Sequence, residues 1–120
     1  MNSYRELKVY SVSIDFTVEI YRTTAGYPKE ELYGLVSQMR RCAVSIPSNI
    51  AEGSSRRNTK EFIHYLYIAN GSLSELETQI ELSKRLNYIN DETILIEQIK
   101  YIRGMLIALI RKLEEKSNSK

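Results

Sequence analysis

The chain has 120 residues, of which 42% are hydrophobic and 27% are charged, and its formal net charge is +2. These values are ordinary for one folded domain with a single core. A single cysteine, Cys42, excludes an internal disulfide and a cysteine-rich metal site. The small excess of positive charge does not by itself indicate nucleic-acid binding.

The sequence shows no export or membrane signal. The N-terminal segment MNSYRELK has no long apolar stretch, and the purest apolar run, MLIALI, is far too short to span a bilayer. We therefore expect a cytoplasmic protein without a membrane partner.

Four helices are predicted, because only two prolines occur, strand-like alternation is absent, and loop signals recur at TAGYP, GSSRRN and LNYIND. Ser3 and Glu6 have the spacing of a capping box at the start of the first helix. Pro28 suits the first turn of the second helix, and Gly53 suits its stop. The predicted helices span about 5–24, 28–52, 58–86 and 91–115 of a single domain, 1–120.

The later helix starts carry similar signals. Asn58 and Glu61 repeat the capping-box spacing, and the acids Asp91 and Glu92 favour a helix N-terminus. The final segment, KSNSK, is expected to be a frayed tail. Short loops between long helices predict an all-α fold, an antiparallel up-down-up-down four-helix bundle.

Apolar stripes at helical spacing predict the core side of three helices. In the second helix the stripe is Leu32, Leu35, Val36, Met39, Ala43, Ile46 and Ile50. In the third it is Phe62, Leu66, Ala69, Leu73, Leu76 and Ile80. In the fourth it is Leu95, Ile99, Ile102, Leu106, Leu109 and Leu113.

The first helix is apolar on two opposite sides. One side holds Leu7, Tyr10, Ile14, Val18 and Tyr21, and the other holds Val9, Val12, Phe16 and Ile20. A bundle helix needs only one apolar side, and a second one left in water marks a partner surface. We expect self-association through Val9, Val12, Phe16 and Ile20, and the alternative is a helix buried deeply by its own neighbours.

Pro47 interrupts the second helix, where it removes a backbone donor. Small polar residues surround it, and we expect Ser45, Ser48 and Asn49 to satisfy the carbonyls that it frees. Arg41 lies level with Glu75 if the second and third helices form a hairpin, and the two are expected to pair in a poorly hydrated groove. The predicted polar network is Arg41, Ser45, Asn49 and Glu75.

No catalytic residue, metal site, cofactor or small-molecule substrate is indicated. His64 is the only histidine, so a histidine-based metal cluster is not available. Glu75, Glu77 and Glu81 lack the Glu-x-x-His motifs that a di-iron bundle needs, and a solvated face is the preferred interpretation.

Basic residues cluster around the loop between the second and third helices. Arg56, Arg57 and Lys60 are expected to contact phosphates there, and Arg40 is expected to contribute if it faces outward. The alternative is a solvated loop with ordinary arginines. A ring of subunits would repeat this weak patch around an axis and strengthen it by avidity.

Two segments, YPKEELYGLVSQMRRCAVSIPSNIAEGSSR and KEFIHYLYIANGSLSELETQIELSKRLNYI, point to a known family. They closely resemble the four-helix bundle proteins encoded in intervening sequences of bacterial 23S rRNA genes, and LKVY near the N-terminus is also similar. The resemblance extends from about Leu7 to Leu113 and is most specific from Pro28 to Glu81. Cys42 stands where the family pattern has alanine.

The resemblance implies a four-helix bundle that assembles as a homopentameric ring. The family is also similar to the accessory protein of diversity-generating retroelements, a basic pentameric barrel that engages nucleic acid. No catalytic residues are known for either, so none is carried over. We therefore favour a non-enzymatic oligomer that binds RNA, other nucleic acid or a ribonucleoprotein. The alternative is a protein-interaction scaffold without a nucleic-acid partner.

Overall fold

Four α-helices account for most of the part of the chain that the computed structural model describes, which is residues 4 and 7–118. No strand occurs within these residues. The helices are α1 (Lys8–Thr24), α2 (Leu35–Ser54), α3 (Thr59–Arg85) and α4 (Thr93–Asn118), and a short 3-10 helix spans Lys29–Glu31. The prediction of an all-α chain with four helices is confirmed.

One hydrophobic core lies between the helices, because each helix buries a stripe of apolar side chains. Each large aliphatic side chain stabilises the fold by about 1.5–3 kcal/mol when it is fully buried. The stripes predicted for α2, α3 and α4 are confirmed except at Leu32, which is 48% exposed before α2 begins, and at Phe62, Leu109 and Leu113, which are only partly buried against the core. The largest fully buried side chains are Phe16, Ile20, Met39, Ile46, Ile50, Leu66, Leu73, Leu76, Ile80, Ile99, Ile102 and Leu106.

The buried side of α1 is the opposite of the predicted one. Phe16 and Ile20 are 1% and 0% exposed within the single chain, and Val9 is also buried. Val12 is partly buried against the same core. The prediction that these four residues form an oligomer interface is therefore wrong, because they pack inside their own subunit.

Two hydroxyl residues on the buried stripe of α1 explain this error. Ser13 and Thr24 are buried, and each hydroxyl donates a hydrogen bond to a carbonyl of its own helix. Ser13 Oγ lies 2.9 Å from Tyr10 O, and Thr24 Oγ1 lies 2.7 Å from Ile20 O. Satisfied in this way, the hydroxyls enter the core, although their polarity interrupts the apolar pattern in the sequence.

The second helix begins at Leu35, so the predicted start at Pro28 is wrong. The backbone leaves the helical region at Gly34, with φ −114° and ψ −111°. Glu31 then connects the 3-10 helix to α2. Its Oε1 accepts a hydrogen bond from Leu35 N at 3.2 Å, and its Oε2 accepts one from Tyr88 Oη at 2.7 Å.

Gly53 does not end α2, which continues to Ser54. It lies where α2 and α3 approach closely, and a Cβ built on it would be 2.7 Å from Tyr65 Cβ and 3.0 Å from Phe62 Cδ1. The absence of a side chain therefore serves helix packing here, and the prediction of a stop is wrong.

The remaining helix ends agree in part with their predictions. The first capping box, at Ser3 and Glu6, lies outside the described residues. Asp91 Oδ1 accepts a hydrogen bond from Thr93 N at 2.9 Å, so Asp91 stands just before α4 as expected. The helix continues to Asn118, which extends it into the predicted frayed tail.

The molecule measures 52 × 22 × 19 Å, and side-chain contacts show which helices are neighbours in it. Along α2 and α3, Gly53 lies near Phe62, Ser45 bonds Ser72, and Met39 meets Ser83. Arg103 of α4 bonds Glu77 of α3 at 2.9 Å. No helix within the described residues is long and apolar enough to cross a membrane.

Candidate nucleic-acid interface

Residues 55–60, here called the tip, form the loop from α2 to α3 and the first residues of α3. Asn58 caps α3, since its Oδ1 accepts from Glu61 N at 2.8 Å and its Nδ2 donates to Glu61 Oε2 at 2.7 Å. The predicted capping pair is confirmed. The backbone amides of Thr59 and Lys60, in the first turn, have no partner within the helix.

Arg56 is held by two neighbours. Its Nη2 donates to Glu52 Oε2 at 2.5 Å and to Tyr65 Oη at 2.7 Å, and the guanidinium lies 5.0 Å from the centroid of the Tyr65 ring. Part of its positive charge is thus neutralised by Glu52. Arg56 therefore holds the base of the tip in place, and its charge is only partly available to a ligand.

Arg57 and Lys60 are exposed, and neither side chain forms a hydrogen bond or ion pair with another described residue. They face two neighbouring grooves. Arg57 lines one with Arg56, whereas Lys60 lines another with Ile63 and Glu114. The structure therefore brings the three predicted basic residues to one end of α3 but divides them between its two sides.

The groove that contains Arg57, here called the tip groove, has a volume of about 270 Å³. Three parts of the chain meet in it, because Tyr4 and Leu7, just before α1, and the end of α4 join the tip. The sequence places Phe62 on the core stripe of α3, and it does not predict Leu113 and Lys116 at this loop because only the fold brings α4 to it. The lining residues are Tyr4, Leu7, Ser54, Arg56, Arg57, Asn58, Thr59, Phe62, Leu113 and Lys116.

Arg40 does not join the tip. It is separated from the end of α2 by about 21 Å of helix, at 1.5 Å per residue. Its Nε donates to Thr24 Oγ1 at 2.9 Å and its Nη2 to Tyr21 O at 3.2 Å, with the guanidinium 4.5 Å from the Tyr21 ring centroid. Arg40 therefore caps the C-terminal end of α1, and its predicted place at the phosphate-contacting surface is wrong.

The polar contact between α2 and α3 centres on two serines. Ser45 Oγ and Ser72 Oγ lie 2.9 Å apart, and Asn49 Nδ2 donates to Ser45 O at 2.8 Å. Arg41 and Glu75 are both exposed, and no ion pair within 4.0 Å joins them among the described residues. The predicted buried pairing is wrong, because both side chains lie on the solvent side of this contact.

Pro47 is accommodated by α1. In a regular helix the amide of residue 47 would bond the carbonyl of Ala43. The hydroxyl of Thr17 instead lies 3.0 Å from Ala43 O, and also 2.8 Å from Ser13 O. The sequence predicts this repair from Ser45, Ser48 and Asn49. It does not predict the contribution of Thr17, because no local pattern connects the two helices.

An exposed apolar surface runs along α1 and α2. On α1, Ile14, Val18 and Tyr21 are 38%, 42% and 42% exposed. A groove of about 640 Å³ continues it, lined by Tyr21, Leu32, Tyr33, Val36, Ser37, Arg40, Arg41, Val44 and Ser45. We call this surface, defined by Ile14, Val18, Tyr21, Leu32 and Val44, the α1–α2 face.

Two side chains with shifted pKa values, Glu31 and Cys42, lie away from the tip. The hydrogen bond from Tyr88, helped by the Leu35 amide, lowers the pKa of Glu31 below its ordinary value. Burial raises the pKa of the Cys42 thiol, which favours its protonated form. Within residues 7–118 no three His, Cys, Asp or Glu side chains are grouped as metal ligands.

Comparisons with known proteins agree with this architecture. No curated protein gives a significant match. Among solved structures, a crystal structure of a protein of unknown function from the S23 ribosomal protein family, from Bacteroides thetaiotaomicron, is 27% identical and has a TM-score of 0.61. The match covers 88% of this chain and 94% of that chain. A family model described as 23S rRNA-intervening sequence protein matches residues 5–108, and the chain therefore belongs to the 23S rRNA-intervening sequence protein family.

Proposed function

We propose that this protein is a non-enzymatic, oligomeric binder of RNA or of a ribonucleoprotein, and that the tip is its contact surface. The observation that carries the proposal is the pair Arg57 and Lys60, which are exposed, unpaired with described residues, and close to the open amides of α3. Guanidinium, ammonium and helix N-terminal amides all bind phosphate oxygens. A ribosomal RNA ligand would place the protein in the cytoplasm.

A single tip carries few cations, so useful affinity requires several tips together. We infer a homopentameric ring, in which subunits meet through the α1–α2 face. Ile14, Val18 and Tyr21 support this surface, because they form a contiguous apolar row that the subunit itself leaves exposed. Five linked tips would then bind a polyanion with avidity.

We also propose that the helices run up-down-up-down in an antiparallel bundle. The contacts of α2 with α3 support this order, since Gly53, Ser45 and Met39 meet Phe62, Ser72 and Ser83 in turn. Such an order returns the C-terminal end of α4 to the tip and adds Lys116 to its basic residues.

Binding of labelled RNA, measured by fluorescence anisotropy at several salt concentrations, tests the proposal. The double variant Arg57→Ala, Lys60→Ala should weaken binding and reduce the slope of log K against log salt by about 1 for each lost phosphate contact. The matched control is Arg22→Ala, Arg85→Ala, which removes the same charge far from the tip. Unchanged affinity in the first variant, or no binding of RNA by the parent at low salt, would reject this function.

The second candidate is a protein-interaction scaffold. The partial neutralisation of Arg56 by Glu52 favours it, as does the net charge of only +2. Purification with and without nuclease separates the two functions, because only the first predicts a nucleic acid that copurifies and disappears after digestion.

A further inference from the structure

We propose that the tip groove accepts an unpaired nucleobase, so that the protein prefers single-stranded nucleic acid to a duplex. This inference rests on the proposed function of the tip and adds the class of nucleic acid to it. Its basis is the composition of the groove, where apolar and aromatic side chains lie directly beside guanidinium and ammonium groups.

The floor of the groove is apolar. Phe62, Leu7 and Leu113 line it, and all three are only partly buried against the core, so part of each surface remains open. A base has two apolar faces that stack on such side chains, and stacking is tolerant of sequence. A phosphate group alone would gain nothing from contact with these apolar side chains.

The rim of the groove is basic. Arg56, Arg57 and Lys116 line it together with the capping residue Asn58. A nucleotide whose base lies on Phe62 would have its phosphate beside Arg57, while Arg56 braces the rim through its bond to Glu52. Single-strand-binding proteins use this combination of a stacking surface and nearby cations. Charge complementarity therefore favours a nucleotide over an apolar peptide segment as the occupant.

The size of the groove favours one base. Its volume of about 270 Å³ is just below the range of about 300–1,000 Å³ typical of small-molecule sites. A duplex cannot place a base there without opening a pair, because its bases are stacked inside the helix. It could contact only the rim.

Three measurements test the preference. A short labelled single strand of RNA and its duplex are titrated against the intact protein at equal low salt, and the single strand should bind at least about fivefold more tightly. Phe62→Leu keeps an apolar floor but removes the aromatic ring, and it should remove most of this difference. Tyr67→Leu, which changes an exposed aromatic residue elsewhere on α3, should leave the preference unchanged.

The third measurement uses the parent protein and reports directly on the base. The fluorescence of 2-aminopurine in an oligo-uridine strand should fall on binding, because the base stacks in the groove. Equal affinity for single strand and duplex, with unchanged fluorescence, overturns the base site but leaves phosphate binding by the tip intact. If neither RNA binds at low salt, the proposed function fails as well.

Discussion

Gly53 occupies a position where a single methyl group is too large. A Cβ there would be 2.7 Å from Tyr65 Cβ, which cannot move without its backbone, and 3.3 Å from Phe62 O. Gly53→Ala should therefore lower the free energy of unfolding by about 1–3 kcal/mol, through overpacking between α2 and α3. Urea denaturation followed by circular dichroism measures this change.

Gly71 gives the matched control for Gly53. It also lies inside a helix, but among the described residues no atom outside its own stretch of helix backbone lies within 4 Å of a Cβ built on it. Gly71→Ala should stabilise the protein by about 0.5–1 kcal/mol, because alanine is the better helix former. Equal effects of the two substitutions would contradict the close approach at Gly53.

Glu31 makes stability depend on acid pH. Its folded pKa is lowered, chiefly by the Tyr88 hydrogen bond and then by the Leu35 amide. The ionised Glu31 carboxylate therefore stabilises the fold at pH values above its unfolded pKa, near 4.5. This stabilisation is lost as pH falls through the lower folded pKa. Glu31→Gln should show a smaller loss of stability over this acid range than the parent does.

Denaturant unfolding at a series of pH values below neutral measures the effect of Glu31. Glu30→Gln is the control, since Glu30 is exposed and makes no hydrogen bond with a described residue. If the two variants have the same pH dependence, Glu31 is not the group responsible. The same bond raises the pKa of Tyr88, so its contribution should also be lost at high pH, as Tyr88 ionises above its ordinary value.

At the scale of the helix, the pairing of Thr17 with Pro47 predicts a coupling between α1 and α2. Thr17→Val keeps the shape of the side chain but leaves the Ala43 carbonyl without a donor, which should cost about 1–3 kcal/mol. In a Pro47→Ala background the restored amide bonds that carbonyl, so Thr17→Val should cost less. A double-mutant cycle from equilibrium unfolding measures the difference.

Thr78→Val controls for loss of a helical hydroxyl. Among the residues that the structure describes, Thr78 Oγ1 donates to Ser74 O alone, at 3.2 Å, in its own helix. Its removal should have a small effect that does not depend on residue 47. Additive losses for Thr17 and Pro47 would show that the hydroxyl does not serve the freed carbonyl.

Helical periodicity and capping chemistry were enough to predict the elements whose stabilisation is local. The start of α3 was predicted correctly, because Asn58 and Glu61 bond each other within one turn. The buried side of α1 was not, because Ser13 and Thr24 enter the core only by bonding carbonyls of their own helix. In the candidate site, Arg57 was recognisable from its loop, whereas Lys116 reaches the tip groove only through the tertiary fold.

At the scale of the whole molecule, the α1–α2 face predicts the state of assembly. The double variant Ile14→Glu, Val18→Glu should give smaller particles that remain helical, because it places charge on the apolar row without entering the core. Multi-angle light scattering with circular dichroism measures both properties. Ile94→Glu, at a side chain that is 70% exposed on α4, should leave the particle size unchanged.

If the proposed ring binds RNA through several tips, loss of assembly should also weaken binding. Subunits separated by the Ile14 and Val18 substitutions keep an intact tip, so they should bind RNA more weakly and with a shallower salt dependence than the parent. A native protein that scatters as a monomer at micromolar concentration would rule out the ring, and affinity that survives dissociation would show that one tip is sufficient.

In the proposed ring, Arg40 restricts how two subunits can meet. Its guanidinium lies on the Tyr21 ring and lines the same groove as Arg41, so the α1–α2 face contains positive charge within its apolar area. A neighbour that covered either cation with apolar atoms alone would bury it unpaired, which is strongly unfavourable. Only an arrangement that offers acceptors at these two points escapes this penalty. In the proposed ring, the two arginines would therefore favour the subunit orientation that presents acceptors to both of them, and would disfavour apolar contacts in other orientations.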